Sequence, residues 1–122
     1  MLIIGNDGSI RVTRGDSFSA TLFINQGTEF VPMRYVVGDN DTVYFGVMEP
    51  NQRFEDAIVR KSFNAKSVFN ENKDLVISFE PKDTEYLLPG RYYYTVKLRR
   101  MNDDGTYRVD TLIPDRQFFI ER

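Results

Sequence analysis

The run Tyr86-Leu87-Leu88-Pro89-Gly90-Arg91-Tyr92-Tyr93-Tyr94-Thr95-Val96-Lys97-Leu98 limits what this chain can fold into more than any other stretch. Pro89-Gly90 marks a turn, because proline presets φ and glycine supplies backbone angles that other residues resist. Beyond it Tyr92, Tyr94, Val96 and Leu98 fall on one side, with Tyr93, Thr95, Lys97 and Arg99 on the other. A period of two in aromatic and β-branched residues is the pattern of a strand with one buried face.

The same period recurs along the chain. Ile10 and Val12 form one inward set; Phe18, Ala20, Leu22 and Ile24 form another. Val43, Phe45 and Val47 make a third, and Leu75, Ile77 and Phe79 a fourth. Ala57 to Asn64 reads as a further strand, with Ile58 on one side and Val59 and Phe63 on the other. Phe30-Val31-Pro32-Met33 suits an edge or a bulge, since proline cannot donate to a ladder. Turn clusters separate these runs at Gly5-Asn6-Asp7-Gly8, Arg14-Gly15-Asp16, Asn25-Gln26-Gly27, Gly38-Asp39-Asn40-Asp41 and Glu49-Pro50-Asn51-Gln52. Pro81 is placed to start one helical turn before Leu87. Asp104-Gly105 sits at the heart of a hairpin between the tyrosine strand and the closing strands. Those closing strands run from Thr106 to Ile113 and from Arg116 to Ile120, interrupted by Pro114-Asp115. The first of them should pair with the tyrosine strand around Val109 to Leu112.

The expected fold is therefore all-β: an immunoglobulin-like antiparallel β-sandwich of about seven to eight strands. With 122 residues, a single domain over 1–122 can bury one core. In sandwiches of this kind a tyrosine at the start of one strand returns its hydroxyl to upstream backbone and locks the crossing between sheets. Tyr92, entered through Pro89 and Gly90, is placed for that corner. Antibody domains add a disulfide and a tryptophan, and this chain has neither residue type.

Missing side chains narrow the chemistry further. Without cysteine there is no disulfide, thiolate metal site or cysteine nucleophile. Without histidine the commonest general base and transition-metal ligand is lost, and a Ser-His-Asp triad cannot form from this chain alone. Only carboxylate-based hydrolysis stays open, so no enzyme activity, catalytic residue or cofactor is expected. A formal charge of −2 gives no reason to expect nucleic acid. No apolar run reaches the roughly 20 residues of a membrane-spanning helix, and Met1-Leu2-Ile3-Ile4 is too short for a signal-peptide core.

The remaining motifs each have an ordinary explanation. Arg14-Gly15-Asp16 matches an integrin-binding tripeptide but is also a normal turn before a strand. Asp39 with Asp41, and Asp103 with Asp104, could offer oxygens to calcium, yet such residues are what turns use, and no metal is expected. Ten Phe and seven Tyr could form a sugar-binding platform, so a carbohydrate- or surface-binding module is the alternative reading. Most of these rings alternate inward, and with no tryptophan the best stacking ring is missing. Lys97, Arg99, Arg100, Arg91 and Arg108 form a basic stripe suited to solubilising an outer strand face or pairing with acids across a subunit contact. The candidate interface is the apolar Leu2, Ile3 and Ile4 arm, the outward Tyr44 and Tyr93, and Phe119 in a closing strand that is apolar on both faces. That strand should be central in a sheet or covered by another chain.

Taken in order, Arg14-Gly15-Asp16-Ser17-Phe18, then Leu88-Pro89-Gly90-Arg91-Tyr92-Tyr93-Tyr94, then Arg116-Gln117-Phe118-Phe119-Ile120 resemble the small immunoglobulin-like domains of bacteriophage structural proteins. The amino-terminal domain of siphophage baseplate upper proteins is similar in its opening turn, its Leu-x-Pro-Gly-x-Tyr segment and its final Phe-x-Ile strand. The resemblance implies a non-enzymatic virion component of tail, baseplate or head. Such a component is made in the bacterial host cytoplasm, acts through contacts with other virion proteins and assembles as a homo-oligomer.

Overall fold

A computed structural model describes residues 2–5, 8–22, 40–68, 75–101 and 104–122. The strands are β1 (Leu2–Ile4), β2 (Ile10–Thr13), β3 (Phe18–Leu22), β4 (Thr42–Met48), β5 (Val59–Asn64), β6 (Leu75–Phe79), β7 (Gly90–Met101) and β8 (Tyr107–Glu121). Two helical turns, α1 (Ala65–Val68) and α2 (Pro81–Thr84), and a 3-10 turn at Phe54–Asp56 complete the elements. One sheet has the order β1-β2-β8-β7-β4-β5, and a second pairs β3 with β6. The fold is an all-β sandwich. Its β3–β6 pair and its β8-β7-β4-β5 order follow the strand order of immunoglobulin-like domains.

The inward sets read from the sequence form the core. Ile10, Val43, Val47, Leu75, Ile77, Val96 and Leu98 are fully buried and belong to one apolar cluster. Phe79 carries the small sheet onto the large one. Its ring stacks on Phe18 at 4.5 Å, meets Phe45 edge-on at 5.2 Å and reaches Phe118 at 6.1 Å. Lys61 of β5 sits 5.4 Å over the same ring and pairs at 2.8 Å with Asp83 of α2, tying the large sheet to the turn that follows β6.

Two expectations are corrected. The sheet is not wholly antiparallel, because β2 runs parallel to β8, Ile10 opposite Phe118 and Val12 opposite Ile120. A parallel neighbour on that side lets β1–β2 cover the edge of β8, which makes the doubly apolar Phe118-Phe119-Ile120 segment central. Second, the closing strands are one fifteen-residue strand, not two. Pro114-Asp115 does not end it, since the ladder absorbs both residues opposite Thr95 alone: Tyr94 faces Arg116 and Val96 faces Ile113. A second shift follows between Val96 and Lys97, which leaves Leu112 and Ile113 both buried. The expected pairing near Val109 is present, with Arg99 opposite Val109. The strand expected over 57–64 begins at Val59, leaving Ile58 outward. Pro81 does open a helical turn, where the Glu80 N–H donates to Asp83 Oδ2 at 2.8 Å. Ile24, the Phe30–Met33 segment and Asp39 lie outside the described residues.

Truncating Phe79 to Ala removes the ring that joins the sheets and should cost about 3–5 kcal/mol. Chemical denaturation should show a lowered midpoint with little change in slope; a loss under about 1 kcal/mol would contradict this packing.

Candidate functional site

The corner comes first, because it positions everything presented beside it. Tyr92 is buried at the start of β7 and its hydroxyl donates to the Leu88 carbonyl at 2.6 Å. Gly90 has φ of 154°, a value that side-chain-bearing residues rarely adopt. Pro89 is half-buried beside it. Leu87 N–H donates to Thr84 O at 3.0 Å, and Thr84 Oγ1 accepts from Gly15 N–H at 2.9 Å. Arg14 reaches the Leu87 carbonyl at 3.5 Å. The Arg14-Gly15-Asp16 tripeptide is thus the β2–β3 turn, held against α2. Tyr86 and Leu88 project from this braced corner, 86% and 76% exposed.

The outer face of the large sheet is the second feature. On β7, Arg91, Tyr93, Thr95, Lys97, Arg99 and Met101 alternate with the buried Tyr92, Tyr94, Val96 and Leu98. Cations lie over rings along this face: Arg11 over Phe119 at 4.5 Å, Lys97 over Phe54 at 4.8 Å and Arg91 over Tyr93 at 5.9 Å. Arg99 stands between two rings, 5.8 Å from Tyr44 and 5.6 Å from Tyr107. Its Nε–H is shut off from solvent and has no acceptor among the described residues. A guanidinium held between rings is fixed in direction.

Between the 3-10 turn and β7 lies an open groove of about 620 Å³, lined by Gln52, Phe54, Thr95, Lys97, Thr111 and Asp115. Asp115 is already engaged, accepting a hydrogen bond from the buried Thr95 hydroxyl. Gly46 gives the 3-10 turn its seat: a Cβ there would lie 2.7 Å from the Phe54 ring.

The interface candidates from the sequence are spread over this face and its edge. Leu2 packs partly on the core, while Ile3 and Ile4 are exposed on the β1 edge strand. Tyr44 and Tyr93 point outward as expected but are half-buried, because Arg99 and Arg91 cover their rings. Phe119 is half-buried under Arg11, whose guanidinium also pairs with Glu121. Among the described residues the most exposed tyrosines are instead Tyr86 and Tyr107, which sequence reasoning missed. Tyr86 sits just before the turn signal, outside any strand, and Tyr107 falls on the solvent side of β8, so phase from Tyr92 places neither. The basic stripe divides. Arg100 turns away from Arg99 to pair with the buried Asp41 at 3.7 Å, and Arg108 pairs with Asp110 at 3.0 Å.

The described members of the acidic clusters, Asp41 and Asp104, are engaged by nearby backbone and side chains. Asp41 also accepts the Ala65 N–H through its carbonyl at 2.9 Å. Asp104 accepts from both the Thr106 hydroxyl and N–H, which hold its carboxyl below the usual range; Asp103 is outside the described residues. Among the described residues no group of three acids converges as a cation site. No described helix is long and apolar enough to cross a membrane.

Burial pushes the Tyr92 hydroxyl above its usual 10.0, and the Glu49 carboxylate adds to the effect. The folded state then holds this proton more tightly than the unfolded chain, so its contribution is complete below pH 10 and is lost as pH rises through the folded value. Tyr92→Phe should cost about 1–2 kcal/mol at neutral pH by leaving the Leu88 carbonyl unpaired, and should blunt the alkaline loss seen in the parent. Thermal melts at neutral and alkaline pH check both; a mutant melting like the parent would remove the corner from the account. Asp115→Ala strands the buried Thr95 hydroxyl and should cost about 1–3 kcal/mol, while the double change to Thr95→Val with Asp115→Ala recovers part of it. Compared with protein-family models, curated proteins and solved structures, the chain matches none.

Proposed function

We propose that this chain is a non-enzymatic structural protein of a bacteriophage virion, working through contacts with neighbouring virion proteins in tail, baseplate or head. The observation that carries the docking part is the braced corner, which holds two large apolar side chains in water on a backbone fixed by four hydrogen bonds or more. Exposing Tyr86 and Leu88 so fully gains a monomer nothing, and rigid apolar anchors of this kind are what protein interfaces use. The virion part rests on the resemblance of the Arg14–Phe18, Leu88–Tyr94 and Arg116–Ile120 segments to phage immunoglobulin-like domains.

A glycan-binding role draws support from the Phe54 groove, but Lys97 already lies over a face of that ring. Protein docking is the stronger reading.

The test is particle composition. Virions purified from the phage that encodes this chain should contain it in a fixed copy number set by particle symmetry, measured by quantitative mass spectrometry and located by immunogold microscopy. Particles that assemble fully without it would overturn the proposal.

A further inference from the structure

Phe54 divides two hollows on the outer face of the large sheet. On the β7 side is the groove described above, where Lys97 lies over its ring. On the β5 side is a smaller recess of about 210 Å³, lined by Tyr44, Phe45, Phe54, Arg60, Lys61 and Ser62. The recess takes this shape because Gly46 has no side chain: a Cβ there would lie 2.7 Å from the Phe54 ring and displace it. In the β4–β5 ladder Arg60 stands opposite Gly46 and Ser62 opposite Tyr44. Alternation therefore sends Arg60, Ser62 and Tyr44 to the face that Phe54 covers.

The chemistry of this recess is one-sided. Among the described residues no carboxylate lines it, and the Arg60 guanidinium and the Tyr44 and Ser62 hydroxyls have no ion pair or hydrogen bond. Lys61 adds no second free charge, because Asp83 holds its ammonium at 2.8 Å. Lys97 and Arg99 rest on the Phe54 and Tyr44 rings without lining the recess. Glu55 and Asp56, on the turn that carries Phe54, stand by Arg53 at 3.9 and 3.7 Å. One uncommitted cation matches one negative charge, which favours a carboxylate over a phosphate dianion. A carboxylate has about four lone-pair sites; a guanidinium fork fills two, and the two hydroxyls fill the others. At roughly 30 Å³ for each water the recess equals about seven waters, short of the roughly 300–1,000 Å³ of pockets for drug-sized ligands. It holds one small group, walled by two rings.

We infer that the recess beside Phe54 binds a small monocarboxylate, its carboxylate on Arg60, Ser62 and Tyr44 and its apolar body against the Phe54 ring. The acid comes either free in solution or as a glutamate side chain of a neighbouring protein, and the chemistry read at the site is the same. These residues are separate from the Tyr86–Leu88 corner, so the site does not rest on the docking reading. Contact with so few atoms gives a dissociation constant of roughly millimolar for the free acid.

Two-dimensional NMR of the isotope-labelled chain tests it, with sodium benzoate as the free acid and a blocked glutamyl-phenylalanine dipeptide as the protein-borne one. Benzyl alcohol supplies the ring without the charge, acetate the charge without the ring, and inorganic phosphate the dianion. Benzoate should shift the amide signals of residues 60–62 and the Arg60 Nε–H signal, saturating in the roughly millimolar range. Arg60→Gln should weaken binding roughly tenfold and Ser62→Ala roughly threefold. Arg116→Gln, which changes an exposed arginine on β8 beside Gly8, should bind as the parent does. Arg60 and Ser62 are exposed on the edge strand β5, and circular dichroism checks that each variant folds. Ser62→Ala carries the test should Arg60→Gln melt early. A dipeptide that binds more tightly than benzoate assigns the site to a neighbour's side chain, and the reverse order assigns it to a free acid. The inference is overturned by no shift around the recess up to about 50 mM of either acid, or by Arg60→Gln binding like the parent. Phosphate or benzyl alcohol binding more tightly than benzoate, or acetate matching it, overturns it too. Failure at the recess leaves the docking reading standing, and absence from virions sinks that reading whatever the titrations show.

Discussion

The ring of Phe79 is where two sheets become one protein. A pair of strands as short as β3 and β6 cannot hold a fold by itself, so it depends on what it buries against the larger sheet. Phe79 supplies that contact, reaching Phe45 on one strand and Phe118 on another while stacking on Phe18 within its own sheet. Tyr94 extends the same cluster, stacked on Phe45 at 5.5 Å, and its hydroxyl donates to the Gly8 carbonyl in the turn between β1 and β2. One connected set of rings thus joins both sheets and the amino-terminal hairpin.

From that centre the large sheet gains its reach through irregularity. Closing strand β8 keeps pairing with β7 across a proline because the ladder opens a bulge there. The bulge buries Thr95, whose hydroxyl finds its acceptor in the aspartate that the bulge itself brings round. A buried hydroxyl with no partner is costly, so the Thr95–Asp115 pair supports the bulge that brings the two residues together.

The surface follows from these two constraints. The continuous β7–β8 ladder carries the corner at one end and the hairpin at the other, so two exposed apolar groups end up far apart on a stiff ribbon. Cations laid over aromatic rings cover most of the outer face between them and keep those rings half-buried. Among the described residues Tyr86, Leu88, Tyr107 and Val109 stay most exposed, near the two ends of that ladder, and Ile3 and Ile4 are exposed along the β1 edge.

Much of the architecture was legible in the order of residues. Alternation placed Ile10, Val12, Ala20, Val43, Phe45, Val47, Leu75, Ile77 and Phe79 inside, and each is buried. It did so because a strand's side chains alternate whatever the strand pairs with. The corner at Tyr92, the helical turn at Pro81 and the hairpin at Gly105 were readable for a similar reason: local backbone chemistry specifies them. Partner, direction and bulge were not readable, since they depend on residues far apart in the chain. The parallel run of β2 on β8 joins segments more than a hundred positions apart, and Pro114-Asp115 looked like a stop until Thr95 stood opposite. Exposure of Tyr44, Tyr93, Tyr86 and Tyr107 was likewise decided in three dimensions. Whether an outward ring is wet depends on which cation folds over it, and neither alternation nor spacing records that.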